Sequence, residues 1–251
     1  LSTGDEIIEP HQTPGKSQIR NSNGYQLIAK TTRAGADANY MGIVEDSEEA
    51  TYLAVAKAIS ENDIVLLTGG VSMGDFDFVP KILKQAGVDI KFDSIAVKPG
   101  KPTTFGVHKD ALVFGLPGNP VSSYIQFELI VKPLIFESMA YNYQSMDLKL
   151  PMDKDYQRKK SDRASWFPVQ ISENGTVIPS AYHGSAHIFS LPNADAIASV
   201  PVGVNKVQKG DLVNVILTGA QDVRQDFVYI WDPKLGSLGG YAVLDIDMAS
   251  I

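Results

Sequence analysis

One short segment constrains the fold more than any other part of this sequence. Residues 63–68 read DIVLLT, an apolar run that ends at two glycines, Gly69 and Gly70. A strand covered by helices on both faces is apolar at successive positions, whereas a strand with one wet face alternates apolar and polar residues. The run therefore predicts an inner strand of a parallel sheet.

Short apolar runs alternate with helical patterns on both sides of this segment. Further strands are predicted at residues 1–3, 39–44, 90–97 and 111–114. Helices are predicted at residues 21–35, 50–59, 78–86 and 121–136. Ser47 is the predicted N-cap of the second helix, and its buried face is predicted at Ala50, Leu53, Ala54 and Ala58. In the last helix, Pro133 predicts a break or kink. Such alternation indicates an α/β fold with a mostly parallel sheet.

The sequence pattern changes after the last of these helices, from alternating strands and helices to a polar segment and short β-like runs. Residues 138–153 are polar and contain Pro151, and we interpret them as a linker. Short β-like runs follow at 166–171, 175–179, 196–200 and 212–217, with a hairpin signal at Asn174-Gly175. We therefore expect an α/β domain at 1–146, a small all-β domain at 147–219 and an unassigned extension at 220–251.

Charge and cysteine content exclude several classes of protein. The chain has 22 Lys and Arg against 29 Asp and Glu, a net charge of -7, which argues against binding to a nucleic-acid backbone. It has no cysteine, which excludes disulfides, cysteine nucleophiles, cysteine-bound zinc and iron–sulfur clusters and fits a reducing cytoplasm. No apolar run approaches the ~18–20 residues of a membrane span. The sequence opens at Leu1 without Met, and we expect a fragment of a longer chain.

Three predicted strand ends run into glycine-containing loops, and the carboxyl ends of parallel strands are where open α/β sheets bind ligands. The loop GGVSMGDFD at 69–77 has glycines that let a ligand approach the backbone, a hydroxyl on Ser72 and carboxylates on Asp75 and Asp77. Carboxylates repel a phosphate unless a divalent cation lies between them, so the loop suggests Mg²⁺ together with phosphate. A tight strand–helix turn with an Asp N-cap is the alternative.

Two further loops carry groups suited to an anionic ligand. The turn KPGKP at 98–102 fixes two cations, Lys98 and Lys101, in a small volume, although a solvated surface turn explains it equally well. The loop LPGNPVSS at 116–123 is stiffened by prolines and aims a helix N-terminus at a ligand, unless Ser122 or Ser123 simply caps the helix.

The first predicted strand delivers two adjacent carboxylates in STGDE at residues 2–6, for which solvation of a loop is the alternative. The histidines carry less information. His183 and His187 are four residues apart, but they lie in a β-like region without a supporting carboxylate motif, so a structural or exposed role is favoured. No local signature of a hydrolase triad is present.

Taken together, TGDE, GGVSMGDFD, KPGKP and LPGNPVSS, in this order and spacing, closely resemble the MoeA-type molybdopterin molybdenumtransferase family, whose animal counterpart is the E domain of gephyrin. The resemblance is strong over residues 1–146 and weaker over 147–219. It implies a three-layer molybdopterin-binding domain followed by a small β domain. It also implies a Mg²⁺-dependent reaction in which molybdate is inserted into adenylylated molybdopterin and AMP is released.

The resemblance also implies roles for residues that match the family motifs. Catalytic roles fall to Glu6, Asp46, Asp77 and Lys98, and the first three of these are the implied Mg²⁺ ligands. The implied pterin and phosphate cradle consists of Thr3, Gly4, Asp5, Gly69, Gly70, Ser72, Gly74, Asp75, Lys101, Pro117, Gly118, Asn119, Ser122 and, in HGSAH, Ser185. The implied partners are the pterin substrate, a second copy in a homodimer of the full-length protein and other cofactor-biosynthesis proteins, with neither nucleic acid nor membrane.

The chain departs from the family pattern in three places. Arg163 resembles the first arginine of a pair, but Trp166, Phe167 and Pro168 stand where the second is usual. The domains that normally precede TGDE are missing, so we expect weak binding and incomplete activity, and residues 220–251 have no counterpart. A molybdopterin adenylyltransferase, a non-catalytic scaffold and a molybdopterin-sensing module are the alternative functions.

Overall fold

The computed structural model describes residues 1–70, 79–141, 143, 148–180 and 184–218, and the backbone of two strands further on. The strands are β1 (Ser2–Thr3), β2 (Ile7–Ile8), β3 (Ile19–Arg20), β4 (Ile43–Val44), β5 (Ile64–Thr68), β6 (Asp89–Phe92), β7 (Val97–Lys98), β8 (Thr104–Val107), β9 (Leu112–Leu116), β10 (Leu148–Pro151), β11 (Tyr156–Gln157), β12 (Ala164–Ile171), β13 (Val177–Pro179), β14 (Ala196–Val200), β15 (Lys206–Val207), β16 (Leu212–Leu217), β17 (Phe227–Tyr229) and β18 (Tyr241–Val243). The α-helices are α1 (Asn23–Arg33), α2 (Glu48–Glu61), α3 (Val79–Gln85), α4 (Pro120–Gln126) and α5 (Lys132–Ser138).

The first sheet has six strands in the order β4-β1-β5-β9-β8-β6. The pairs β4–β1, β1–β5 and β5–β9 are parallel, and β8 alone runs in the opposite direction. Strand β5 lies inside the sheet between β1 and β9, as its apolar sequence predicts. The sheet is therefore mostly parallel, which confirms the predicted fold class.

Helices cover both faces of this sheet. Alternate residues of β5 point to opposite sides: Val65 and Leu67 pack with α2 and α3, while Ile64 and Leu66 contact a second core formed with α1, α5 and β9. Because each face of the strand has its own apolar layer, the sequence has to be apolar at every position. The three-layer arrangement is confirmed.

Helix α2 begins as predicted, and Ala58 is buried as predicted, but the rest of its buried face differs. The Ser47 Oγ accepts a hydrogen bond from the Ala50 N–H at 3.2 Å, which is the expected N-cap. However, the buried residues include Val55 and Ile59, whereas Leu53 is 59% exposed. The helix is rich in alanine and aliphatic residues, so the pattern alone does not select its buried side.

The single strand predicted at 90–97 is wrong, because it is two strands in two different sheets. β6 belongs to the first sheet, whereas β7 pairs in parallel with β12 of the second. The polar residues Asp93 and Ser94 separate them. Strand β8 was not predicted, since its sequence TFGV is short and interrupted by Gly106.

The predicted helix at 121–136 is present in three consecutive parts. Helix α4 runs into a wider π-helical turn, Phe127–Val131, and then into α5, where Pro133 occupies a first-turn position. Proline lacks an N–H and its ring crowds the carbonyl four residues earlier, so a wider turn before it relieves the clash without ending the helix. The predicted irregularity at Pro133 is therefore confirmed.

The second sheet forms the small β domain, in the order β10-β16-β14-β12-β13 with β7 added beside β12. Its own core consists of alternate residues such as Phe167, Val169 and Val215. The hairpin predicted at Asn174-Gly175 joins the antiparallel strands β12 and β13. The predicted linker is wrong over part of its length, because it contains β10, an edge strand, where Pro151 is tolerated.

Helix α4 packs against both domains. Val121, Tyr124 and Ile125 form one apolar cluster with Ile197 of β14, on the face of β14 opposite to the β-domain core. The Tyr124 hydroxyl donates to the Thr218 carbonyl at 2.9 Å. In the C-terminal segment β17 and β18 pair antiparallel. Among the described residues, no helix is both long and apolar enough to cross a membrane.

Candidate functional site

Three of the predicted loops meet at the carboxyl edge of the first sheet. Strands β1, β5 and β9 are neighbours, so the loops that begin at Thr3, Gly69 and Pro117 start side by side. Gly69 has φ +97°, and a Cβ on it would lie 2.3 Å from the Thr3 carbonyl oxygen. A Cβ on Gly118 would lie 3.5 Å from the Gly69 Cα. The approach of β1 and β5 requires glycine at position 69, Gly118 lies at ordinary contact distance from it, and the three loops form one continuous edge.

Acidic side chains lie at the same edge, after β1 and β4. The Asp5 Oδ1 accepts a hydrogen bond from the Asp46 N–H at 3.0 Å, which joins TGDE to the loop after β4. The Glu6 carboxylate lies over Gly4, because a Cβ on that glycine would be 2.6 Å from Glu6 Oε2. Asp5, Glu6 and Asp46 are exposed. The structure thus brings the TGDE carboxylates to the loop that carries Asp46, although Asp5 and Asp46 are 41 residues apart in the chain.

These oxygens are of the kind that Mg²⁺ prefers. Of the three implied ligands, Glu6 and Asp46 are on this edge and Asp77 lies outside the described residues. No group of three or more His, Asp or Glu side chains within the described part of the chain is arranged to hold a metal ion. The donor chemistry fits the cation, and the third implied ligand is the one that the structure leaves undescribed.

Most of the GGVSMGDFD loop also lies outside the described residues. Gly69 and Gly70 are described and both have positive φ. The cradle residues Ser72, Gly74 and Asp75 lie in the undescribed segment 71–78. Their implied roles therefore stay predictions.

The KPGKP turn is anchored from one side and open on the other. Gly100 is buried against the Gln126 side chain of α4, whose Nε2 donates to the Pro99 carbonyl at 3.0 Å. The Thr103 Oγ1 donates to the Gly100 carbonyl at 2.8 Å. Lys98 and Lys101 are exposed. The turn is a fixed platform with two solvent-facing cations.

Ser185, which the resemblance assigns to the ligand cradle, lies at the start of α4. Its carbonyl accepts the Val121 N–H at 3.0 Å. The prediction that the helix N-terminus is aimed at a ligand therefore fails for this N–H, which is used within the protein, and Pro120 has no N–H to offer. The capping alternative is also wrong, because the N-cap is Asn119, whereas Ser122 and Ser123 are buried inside the helix.

The arginine pattern of the β domain has a structural explanation. Arg163 lies beside the KPGKP strand, since the next residue, Ala164, donates its N–H to Ala96. Arg158 is a buried arginine that donates to the carbonyls of Val204, Arg163 and Pro201 at 2.7, 2.6 and 2.5 Å. Its guanidinium holds loops of the β domain together, so it does not replace the missing second arginine.

Sequence reasoning missed Glu9, which lies just beyond TGDE. Its carboxylate accepts hydrogen bonds from Tyr25 at 3.0 Å and from Tyr40 at 2.8 Å. Burial and the hydrogen bond to Glu9 raise the pKa of Tyr40, and the hydrogen bond to Glu9 raises that of Tyr25. The contacts join the segment after β2 to α1 and to the segment before β4, and the sequence gives no local signal for them.

Sequence reasoning also missed Asn23 at the start of α1. Its side chain contacts the ends of both β5 and β9. In the sequence, the cluster NSNG at 21–24 indicates only a helix start. A contact 95 residues away in the chain is outside what a local pattern predicts.

Two family descriptions match the chain. Residues 1–137 match a family described as a probable molybdopterin binding domain, and residues 150–218 match the MoeA C-terminal region, domain IV. Together they cover both units of the fold.

Individual relatives give the same result. The chain is 32% identical to the molybdopterin molybdenumtransferase of Staphylococcus epidermidis over 231 residues, covering 91% of this chain and 55% of that protein. It is 33% identical to that of Bacillus subtilis over 221 residues, covering 86% and 51%. The chain thus spans about half the length of the curated relatives it matches.

A solved structure of similar fold supports this result. The crystal structure of the molybdopterin biosynthesis MoeA protein from Pyrococcus horikoshii superimposes with a TM-score of 0.75 at 29% identity. The match covers 86% of this chain and 52% of that one.

Proposed function

Because the chain belongs to the MoeA-type family that carries a molybdopterin-binding domain, we propose that it acts in molybdenum cofactor biosynthesis as a molybdopterin molybdenumtransferase. The proposed reaction takes adenylylated molybdopterin and molybdate, releases AMP and leaves molybdenum in the pterin. The observation that supports it most is the meeting of three glycine-containing loops with the acidic loops of Asp5 and Asp46 at one edge of a mostly parallel sheet.

The residues of this edge have different proposed roles, which follow from the chemistry of their groups. Gly69 and Gly118 let the ends of β1, β5 and β9 lie close together, which gathers main-chain groups of three loops at one place for the ligand. Lys98 and Lys101, on their anchored turn, attract the oxyanions of phosphate or molybdate. Glu6 and Asp46, with Asp77, would hold Mg²⁺, which when bound neutralises phosphate charge.

The family also leads us to propose a cytoplasmic location and a homodimeric whole protein. Neither nucleic acid nor a membrane is a proposed partner. The net charge of -7 is consistent with the first exclusion.

The test measures binding of adenylylated molybdopterin and release of AMP with Mg²⁺ and molybdate. Glu6→Gln and Asp46→Asn are expected to lower the AMP release rate at least ~10-fold, because each removes a charge that balances the cation, and to change pterin affinity less.

Asp110→Asn is the matched control, since Asp110 is an exposed carboxylate in the turn between β8 and β9, at the opposite edge of the sheet. It is expected to leave both measurements unchanged. Failure of the unaltered chain to bind the pterin would overturn the proposal. Unchanged AMP release in both site variants would overturn the role of the carboxylates.

A further inference from the structure

Asn23 is a buried amide that connects two strand ends. It is 6% exposed and stands at the first position of α1. Its Nδ2 donates to the Thr68 Oγ1 at 2.8 Å and to the Gly118 carbonyl at 2.7 Å, so both N–H donors are used. Its Oδ1 has no hydrogen-bond partner among the described residues. The side chain therefore fixes the loops after β5 and β9 relative to each other.

Thr68 makes a similar contact with the residue that precedes Gly118. Its Oγ1 donates to the Pro117 carbonyl at 3.3 Å. The carbonyls of Pro117 and Gly118 consequently both face the buried pair Asn23 and Thr68. In a trans peptide the N–H points opposite to the C=O. The N–H groups of Gly118 and Asn119 therefore point away from the buried amide.

Those two N–H groups are available to a ligand. Gly118 and Asn119 are exposed, and neither donates its N–H to a backbone carbonyl in the described part of the chain. Successive N–H groups that face the same way form a concavity that binds anions. The buried amide thus orients donors that it does not itself supply.

The peptide between Pro120 and Val121, two positions further along the segment, shows which side the donors face. The Gln26 Nε2, one turn along α1 from Asn23, donates to the Pro120 carbonyl at 3.2 Å. The N–H on the other side of that peptide, from Val121, donates to Ser185 at 3.0 Å. The side opposite to α1 is therefore the side where the Ser185 loop meets α4.

We propose that Asn23 is a positioning residue for phosphate binding: by holding the Pro117 and Gly118 carbonyls inward, it aims the N–H groups of Gly118 and Asn119 at the phosphate of the ligand. The inference rests on the proposed function, which brings a phosphate-bearing pterin and AMP to this edge. It adds a residue that does not touch the substrate and acts through the backbone.

The experiment compares AMP with adenosine, which differ only in the phosphate, by calorimetric titration of the 251-residue chain. Asn23→Leu keeps the approximate size of the side chain and removes both donors. It is expected to lower AMP affinity about 10-fold, the effect of losing well-aimed hydrogen bonds to a charged group, and to leave adenosine affinity unchanged. A residue that merely stabilised the fold would affect both ligands alike.

Asn62→Leu is the matched control. Asn62 is also an asparagine whose Nδ2 donates to a backbone carbonyl, that of Ala58 at 2.9 Å, but it precedes β5 at the far edge of the sheet. It is expected to keep the preference for AMP. If Asn23→Leu does not fold, Thr68→Val takes its place, because it removes the hydroxyl that donates to the Pro117 carbonyl and keeps the size of the side chain. Its expected loss of AMP affinity is about 3-fold, since one donor is removed.

The outcomes separate the two proposals. A folded variant that keeps the preference for AMP, or loses both ligands equally, overturns the inference and leaves the proposed function standing. If the unaltered protein binds molybdopterin but does not prefer AMP to adenosine, the inference is also overturned and the proposed function still stands. Unaltered protein that binds neither pterin nor AMP overturns both.

Discussion

At the residue scale, the ligand edge depends on backbone approaches that leave no room for a side chain. A Cβ on Gly69 would lie 2.3 Å from the Thr3 carbonyl and 2.8 Å from the Thr3 Oγ1. Such distances are far below van der Waals contact, so a larger residue moves one strand end away from the next. Glycine is therefore required at position 69 for two reasons: its φ is +97°, and the Thr3 backbone leaves no room for a side chain.

Gly69→Ala is expected to lower the free energy of unfolding by ~2–4 kcal/mol, from backbone strain plus displacement of the β1 end. Gly203→Ala separates the two causes, because Gly203 has φ +85° but nothing within 4 Å of an added Cβ. It is expected to cost only ~1–2 kcal/mol. Urea unfolding measures both variants, and equal losses would contradict the role of the close approach.

At the scale of elements, the π-helical turn between α4 and α5 carries a buried group of charges. Glu128, whose side chain is 3% exposed, pairs with Lys30 of α1 and with Lys132, whose Nζ is 3.4 Å away. The Lys30 Nζ also lies 3.6 Å from the centre of the Tyr124 ring. Burial lowers the pKa of Lys30, while Glu128 opposes the shift. The carboxylate is what makes two buried cations tolerable here.

Glu128→Gln is expected to destabilise the fold by ~3–5 kcal/mol, because it removes the carboxylate that pairs with the buried Lys30 ammonium. Burial lowers the folded-state pKa of Lys30 below its unfolded value, so the associated penalty is present at neutral pH and shrinks as pH rises towards 10. The variant's deficit should therefore narrow between pH 7 and pH 10 in denaturant titrations.

The exposed pair Glu48 and Lys81, with N···O 2.7 Å and both side chains more than half exposed, provides the control. Glu48→Gln is expected to cost less than ~1 kcal/mol at either pH, because water screens the pair. A loss for Glu128→Gln as small as this would mean that the buried group does not depend on its carboxylate.

At the scale of the whole molecule, the two domains share structure on either side of the polar edge. Helix α4 follows directly from the LPGN loop and packs its apolar face on the β domain through Ile197. Strand β7, which carries Lys98, pairs with β12 of the β domain. The loops that form the candidate site are therefore positioned by contacts from both domains.

Ile197→Ala is expected to lower the free energy of unfolding by ~2–4 kcal/mol, because Ile197 is fully buried in the shared cluster. Hydrogen exchange is expected to speed up in β5 and in β16 together, since the cavity lies between the domains. Leu212→Ala, at a residue that is 63% exposed, should change stability by less than ~0.5 kcal/mol. Faster exchange in β16 alone would contradict coupling through α4.

The sequence predictions were correct for features that depend on neighbouring residues and less accurate for features that depend on contacts between distant parts of the chain. The inner strand β5, the Ser47 cap and the Asn174-Gly175 hairpin depend on neighbouring residues, and all three are present. The division of 90–97 between two sheets and the burial of α2 on the Val55 side depend on distant packing. The first was not predicted, and the predicted buried face of α2 is correct only at Ala58. In the site, the loops were found because glycine, proline and carboxylates mark them, whereas Asn23 was not.

The sequence by itself determined that strands and helices alternate, that the strand ends carry glycine and carboxylate loops, and that a β domain follows, because backbone preferences and apolar periodicity are local properties. Only the tertiary structure decided which loops meet. Parallel pairing of β1, β4, β5 and β9 places their carboxyl ends on one edge, and burial of Asn23, Gln126 and Glu128 fixes how that edge is held. Those contacts join residues up to 98 positions apart, so packing and hydrogen-bond satisfaction select them rather than any sequence pattern.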